Sequence, residues 1–168
     1  MIRARIKALL LLAFLGLCQS LHAQTPSDTC GYRTFFDGTV FTLTISRSFH
    51  GTTMFMLCER KDRSKFVLAS ELISRAPEKW ASKTIPLTPW MYERVLSLYE
   101  SALNYDVIFE AAGLDGSTWC LETKRAFTYS NACFWSPSLE TAARRLSGLL
   151  ALGQELWRIS NLKAKDLF

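Results

Sequence analysis

The chain has 168 residues, 49% hydrophobic and 21% charged, with a formal net charge of +5. That balance excludes a disordered polymer, which needs low hydrophobicity and high net charge. Arg3, Arg5 and Lys7 are the only charges before Asp28, so from residue 24 onward 17 basic groups face 15 acidic ones, which excludes the clustered basic excess of a nucleic-acid binder.

The first segment reads as an address. Arg3, Arg5 and Lys7 form a positive head, Ala8 to Leu17 an apolar core, and Leu21-His22-Ala23 a small-residue exit, the pattern of a secretory signal peptide. The apolar run of about ten residues is half of the roughly 20 that span a bilayer as a helix. Cys18 raises a lipoprotein alternative, but Leu17 stands where a small residue is needed. The expectation is cleavage of residues 1–23, export to the periplasm, no transmembrane anchor after cleavage, and one domain over residues 24–168.

Cleavage leaves four cysteines, Cys30, Cys58, Cys120 and Cys133. An even number in an exported chain implies two disulfides with three possible connectivities. Shorter loops close at lower entropic cost, which favours Cys30–Cys58 and Cys120–Cys133, each contributing on the order of 3 kcal/mol in the chain-entropy model. A metal site fails on spacing, because no CxxC pair exists and His50 is the one histidine left after cleavage,.

From Tyr32 the pattern becomes two-fold. Thr34-Phe35-Phe36 runs into the turn dipeptide Asp37-Gly38, and Thr39 to Ser46 alternates, with Phe41, Leu43 and Ile45 on one face,. Arg47 to Thr52 reads as a connection, Met54 to Cys58 as an apolar strand, residues 59–63 as a charged turn and Phe66 to Leu68 as a short strand. Ser70 to Lys83 has no clean period, and Pro77 breaks any long helix there,.

Thr88-Pro89 supplies an N-cap with proline at the first helical position. The helix that follows runs to Asn104, with Met91, Val95, Leu98 and Ala102 along one stripe,. Val107 to Phe109 reads as a strand, Ala112 to Gly116 as a turn region and Ser117 to Thr123 as an alternating stretch; Lys124-Arg125 turns the chain into Ala126 to Tyr129, and Ser130-Asn131 precedes Ala132 to Trp135. Ser136-Pro137 repeats the cap-and-proline device, predicting a last helix over about 137–160 with Arg144, Arg145 and Glu155 off its apolar face. Strands segregated from two helices (about 89–104 and 137–160) define an α+β class with a mainly antiparallel sheet in two hairpin or meander blocks.

Known catalytic patterns do not occur: there is no GxSxG elbow, P-loop, HExxH or dinucleotide glycine motif,. His50, in Ser48-Phe49-His50-Gly51, reads as a loop residue beside a turn glycine. Glu110, Asp115 and Glu122 read as turn and solvated charges. No cofactor is expected.

The run Gly113-Leu114-Asp115-Gly116-Ser117-Thr118-Trp119, followed by Glu122, Tyr129, Trp135, Pro137 and a long helix, resembles a group of small exported bacterial proteins of unknown function over roughly residues 105–157. The resemblance implies an architecture and no activity: the glycine–aspartate turn would orient the Trp119 strand beneath the final helix.

Twenty aromatics remain after residue 23. Trp80, Trp90 and Trp135 stand beside loops or prolines, and aromatic and arginine side chains dominate interaction hot spots, so Trp80, Trp90, Trp135, Arg144 and Arg145 form the expected binding face. A small, disulfide-stapled, exported chain without catalytic motifs fits a periplasmic binding or inhibitory protein, which needs only surface complementarity. One form is an immunity protein that neutralises a periplasmic toxin. A structural accessory of the envelope and a small hydrolase are the alternatives; the first would lack a hot-spot patch, the second would show polar groups converging in a pocket.

Overall fold

Alternating apolar and polar residues build the sheet. The computed structural model describes residues 30, 38–105, 113, 115–125 and 128–162. The predicted signal peptide and the predicted strands at 34–36 and 107–109 lie outside them. Strands β1 (Thr39–Arg47), β2 (Thr52–Glu59), β3 (Lys65–Arg75) and β4 (Glu78–Pro86) precede helix α1 (Pro89–Ala102); β5 (Ser117–Arg125), β6 (Thr128–Trp135) and helix α2 (Ser147–Ser160) follow it.

The six strands form one antiparallel sheet in the order β4-β3-β2-β1-β5-β6. The first four make a meander, and β5 adds on the free side of β1, so β1 and β2 both sit inside the sheet. This is the α+β, mainly antiparallel arrangement that the alternation implies.

Register assigns the two faces. Leu43 lies opposite Phe55 on β2 and Leu121 on β5, and Ile45 opposite Trp119. These residues are buried with Val67, Tyr99, Leu149, Leu152, Leu156 and Trp157 in one core beneath the two helices. Trp119 packs directly against Gly153 of α2, so the Trp119 strand does run beneath the last helix. The opposite face carries Thr42, Thr44, Met54 and Met56, and there Cys30, Met56, Cys58 and Phe66 form a second small cluster. Cys30–Cys58 and Cys120–Cys133 are the disulfides, and the latter joins directly paired positions of β5 and β6.

Helix α1 starts as the sequence indicates: the Thr88 hydroxyl accepts from the Met91 amide at 3.3 Å, with proline behind it. It ends at Ala102, and its buried stripe is Tyr92, Val95, Tyr99 and Ala102, not the stripe through Met91 and Leu98. The amphipathic tyrosines turn inward because their rings find partners: Tyr99 stacks on Phe41 at 4.7 Å, and Lys65 Nζ sits 3.5 Å over the Tyr92 ring,.

Two stretches depart from expectation. Residues 70–83, read as irregular, are mostly strand. A bulge between Leu72 and Ser74 shifts the alternation by one residue, and β4, as an edge strand, tolerates Glu78, Lys79 and Lys83 where a central strand would not. Pro77 occupies the β3–β4 turn, after a cis peptide bond.

The last helix is 14 residues long and begins at Ser147, so Ser136-Pro137 does not open it. Between them the chain turns repeatedly, with Ser136, Glu140 and Arg145 at φ of 39°, 49° and 53°, a region non-glycine residues enter only at a cost. Arg144 supplies the compensation. Predicted on an outward face, it is only 2% exposed, and its guanidinium donates to the carbonyls of Trp135 (2.8 Å), Ser136 (3.0 Å) and Leu139 (3.1 Å). Local helix signals therefore lose to a side chain that ties the segment to the end of β6.

Glu155, also predicted to point away from the core, is buried between the helices. Its Oε1 accepts from Arg94 Nε at 3.0 Å and Arg158 Nη2 at 2.8 Å, and its Oε2 from Arg158 Nε at 2.8 Å. These bonds, Arg158's foremost, hold its carboxyl below the ordinary value of 4.5 against the opposing effect of burial. A depressed folded value means the carboxylate stabilises the fold fully above the unfolded value and loses this contribution as pH falls through the folded one. Glu155→Gln should therefore cost on the order of 1–2 kcal/mol at pH 7. Thermal melts at stepped pH should show the gap to wild type closing as pH drops below 4.5; a pH-independent gap would contradict the ionic role.

Candidate functional site

At one end of the sheet the β1–β2 loop, Ser48–Gly51, stands between two hollows. The first, about 380 Å³, is lined by Ser48, Phe49, His50 and Gly51 on one side and by Leu72, Ile73, Ser74 and Arg75 of β3 on the other. The second, about 230 Å³, lies toward β5 and β6, among Arg47, Asp115, Gly116, Ser117, Ser136 and Ser138. Phe49 projects between them at 81% exposure.

The loop is held at both ends. The Ser48 amide and hydroxyl both donate to the Gly116 carbonyl, at 3.0 and 3.1 Å. Arg47 Nε donates to the Gly51 carbonyl at 3.2 Å, while its guanidinium lies 5.3 Å over the Trp157 ring. Gly116 can serve as anchor because it has no side chain: its φ is +144°, and a Cβ there would collide with the Ser136 hydroxyl and crowd the Trp135 ring,. The glycine turn seen in the sequence thus positions a loop 68 residues away in the chain.

Ile73 is the second unusual side chain. As the extra residue of the β3 bulge it has no partner on β4, and it is 61% exposed. Bulges re-aim side chains in this way. Two large apolar groups therefore flank one hollow, an arrangement that folding does not require. Phe49 had a detectable signal, an aromatic inside a polar loop; Ile73 had none, because the bulge exists only through pairing with β4.

The expected binding face does not assemble. Trp80 lies on β4 and Trp135 at the end of β6, at opposite edges of the sheet and about 24 Å apart at five strand spacings. The Trp80 indole donates to Glu78 Oε1 at 2.7 Å. Trp135 is half-buried, packed over Gly113 and Gly116. Arg144 is a buried clamp, not a surface residue. Trp90, 66% exposed with Arg94 beside its ring, and Arg145 remain at the surface on separate elements.

Ser48, His50, Asp115 and Ser117 share the second hollow, the residue types of a hydrolase. They are not connected as one. The Ser48 hydroxyl donates to a backbone carbonyl, the Ser117 hydroxyl accepts from Trp119 Nε1 at 2.9 Å, and the His50 imidazole bonds to none of the described residues. A nucleophile, a base and an orienting group must be linked in sequence. Among the described residues, no group of three or more His, Cys, Asp or Glu is placed to hold a metal ion, and no helix is long and apolar enough to cross a membrane. No family model matches the chain, and no curated protein matches it significantly.

Proposed function

We propose that this chain is an exported binding or inhibitory protein that acts by protein–protein contact in the periplasm or cell envelope. An immunity protein against a periplasmic toxin is one form of that role. The observation that carries the reading is Phe49: a large aromatic side chain, 81% exposed, on a loop anchored at both ends and flanked by two hollows. An aromatic anchor on a rigid loop loses little conformational freedom on binding, and such anchors dominate interface energetics. The signal-like N-terminus and the two disulfides support an exported setting.

The test is capture of a partner from periplasmic extract by wild type, Phe49→Ala and His50→Ala, with folding checked by circular dichroism. Phe49→Ala should weaken capture by about 2 kcal/mol, close to 30-fold, and His50→Ala should leave it unchanged. No partner retained by wild type would favour the structural accessory. A turnover activity lost in His50→Ala would favour the hydrolase, the second reading that Ser48, His50 and Asp115 in one hollow keep open.

A further inference from the structure

We infer that Cys120–Cys133 is an exchangeable disulfide, opened at Cys133 by a dithiol, and that its opening loosens the edge strand β6 while the rest of the sheet holds. Cys30–Cys58 is then the permanent staple of the fold. The inference does not depend on the protein-binding role.

Three observations carry it. The two bridges differ in access: Cys30 and Cys58 are fully buried in a cluster with Met56 and Phe66, whereas Cys133 is exposed and Cys120 half-buried. Exchange begins when a thiolate reaches a sulfur, so the exposed bridge is the one that exchanges. Position then selects the sulfur. Cys120 stands between Thr44 of β1 and Cys133 of β6, while β6 is the last strand of the sheet, and among the described strands none lies beyond Cys133. A thiolate therefore meets Cys133 first. Finally, β6 is held lightly. Its strand partner is β5 alone, none of its described side chains is buried, and Phe134 is only half-buried, against the Tyr105 ring. Arg144 ties only the Trp135 end. A segment with few buried apolar contacts opens at low free energy, so β6 depends on the bridge within its ladder to β5.

The reductant is a dithiol. One of its sulfurs, as thiolate, bonds to Cys133 Sγ; the bond between the two cysteines breaks, and its electron pair leaves on Cys120 Sγ, which takes a proton from water. The second thiol of the reductant, deprotonated, then displaces Cys133 as a thiolate, which is protonated in turn. Two electrons have passed: the dithiol is oxidised to its own disulfide, and Cys120 and Cys133 are reduced to thiols.

The probe is dithiothreitol, in buffers of graded reduced-to-oxidised ratio, with free thiols alkylated and mapped by peptide mass. Cys120 and Cys133 should become alkylated together at a ratio about tenfold or more below the one that opens Cys30–Cys58. Both bridges opening at one ratio, or Cys30–Cys58 opening first, would overturn the inference. Access is read from single-thiol variants with the neutral reagent N-ethylmaleimide. Cys133 in Cys120→Ser should react about fivefold or more faster than Cys120 in Cys133→Ser, and equal or reversed rates would overturn attack at Cys133. Hydrogen exchange followed by mass spectrometry then compares oxidised wild type, dithiothreitol-opened wild type and the double variant Cys120→Ser, Cys133→Ser. Peptides from β6 should exchange about tenfold or more faster in the opened forms, with β1, β2 and β3 unchanged. Unchanged β6 protection, or protection lost across the whole sheet of the dithiothreitol-opened wild type, would overturn the inference; that form decides if the double variant does not fold.

Discussion

Arg144→Met should lower the unfolding free energy by about 2 to 4 kcal/mol. The substitution keeps most of the side-chain volume, so the loss reports hydrogen bonding more than a cavity. Three carbonyls, those of Trp135, Ser136 and Leu139, lose their donor together, and each polar group left unsatisfied in a shielded position costs about 1–3 kcal/mol, less where water can reach it. The bonds also hold Ser136, Glu140 and Arg145 in the left-handed region, which free chain would abandon. Arg144→Lys should recover only part of the loss, because an ammonium on a flexible stem cannot reach three carbonyls at once. Urea denaturation followed by tryptophan fluorescence measures both, with exposed Arg145→Met as control, expected within about 0.5 kcal/mol of wild type. Equal effects at 144 and 145 would refute the clamp.

Gly153→Val should destabilise the protein by about 3 kcal/mol or more. Alanine in place of a mid-helix glycine ordinarily gains about 1 kcal/mol, so helix propensity alone predicts the opposite sign for the smaller change. Packing decides the matter. A Cβ at Gly153 collides with the six-membered ring of Trp119, and that ring is 1% exposed and tethered through Nε1 to the Ser117 hydroxyl. It has nowhere to retreat, and overpacking of a well-filled core costs about 1–3 kcal/mol, more for a β-branched side chain. Gly153→Ala should therefore also be destabilising, by less. A Gly153→Ala variant more stable than wild type in thermal melts would show that α2 can lift from the sheet freely.

Glycine at 153 and arginine at 144 were invisible as structural necessities in the linear chain. The first was one small residue in a helical pattern, the second one of two adjacent arginines. What distinguishes them is what lies across from them: the Trp119 ring for one, three carbonyls at the end of β6 for the other. Sequence neighbours carry no record of either.

Features encoded by neighbours were legible. The strict alternation of Thr39 to Ser46 marks a half-buried strand because successive side chains point to opposite faces, and Thr88-Pro89 marks a helix start because its hydroxyl can reach an orphan amide three residues on. The short spans of Cys30–Cys58 and Cys120–Cys133 favour their closure. The mainly antiparallel α+β class follows from these local facts. Tertiary structure alone decided the rest. Edge position and a bulge turned residues 70–83 into strands, and the buried Arg144 guanidinium replaced the first turns of the expected last helix. Sheet order separated Trp80 from Trp135, and the Gly116 anchor and the β3 bulge brought Phe49 and Ile73 to one hollow. The physical reason is common to all: periodicity and capping act within a few residues, whereas exposure, edge position and hydrogen-bond partners depend on segments far apart in the chain.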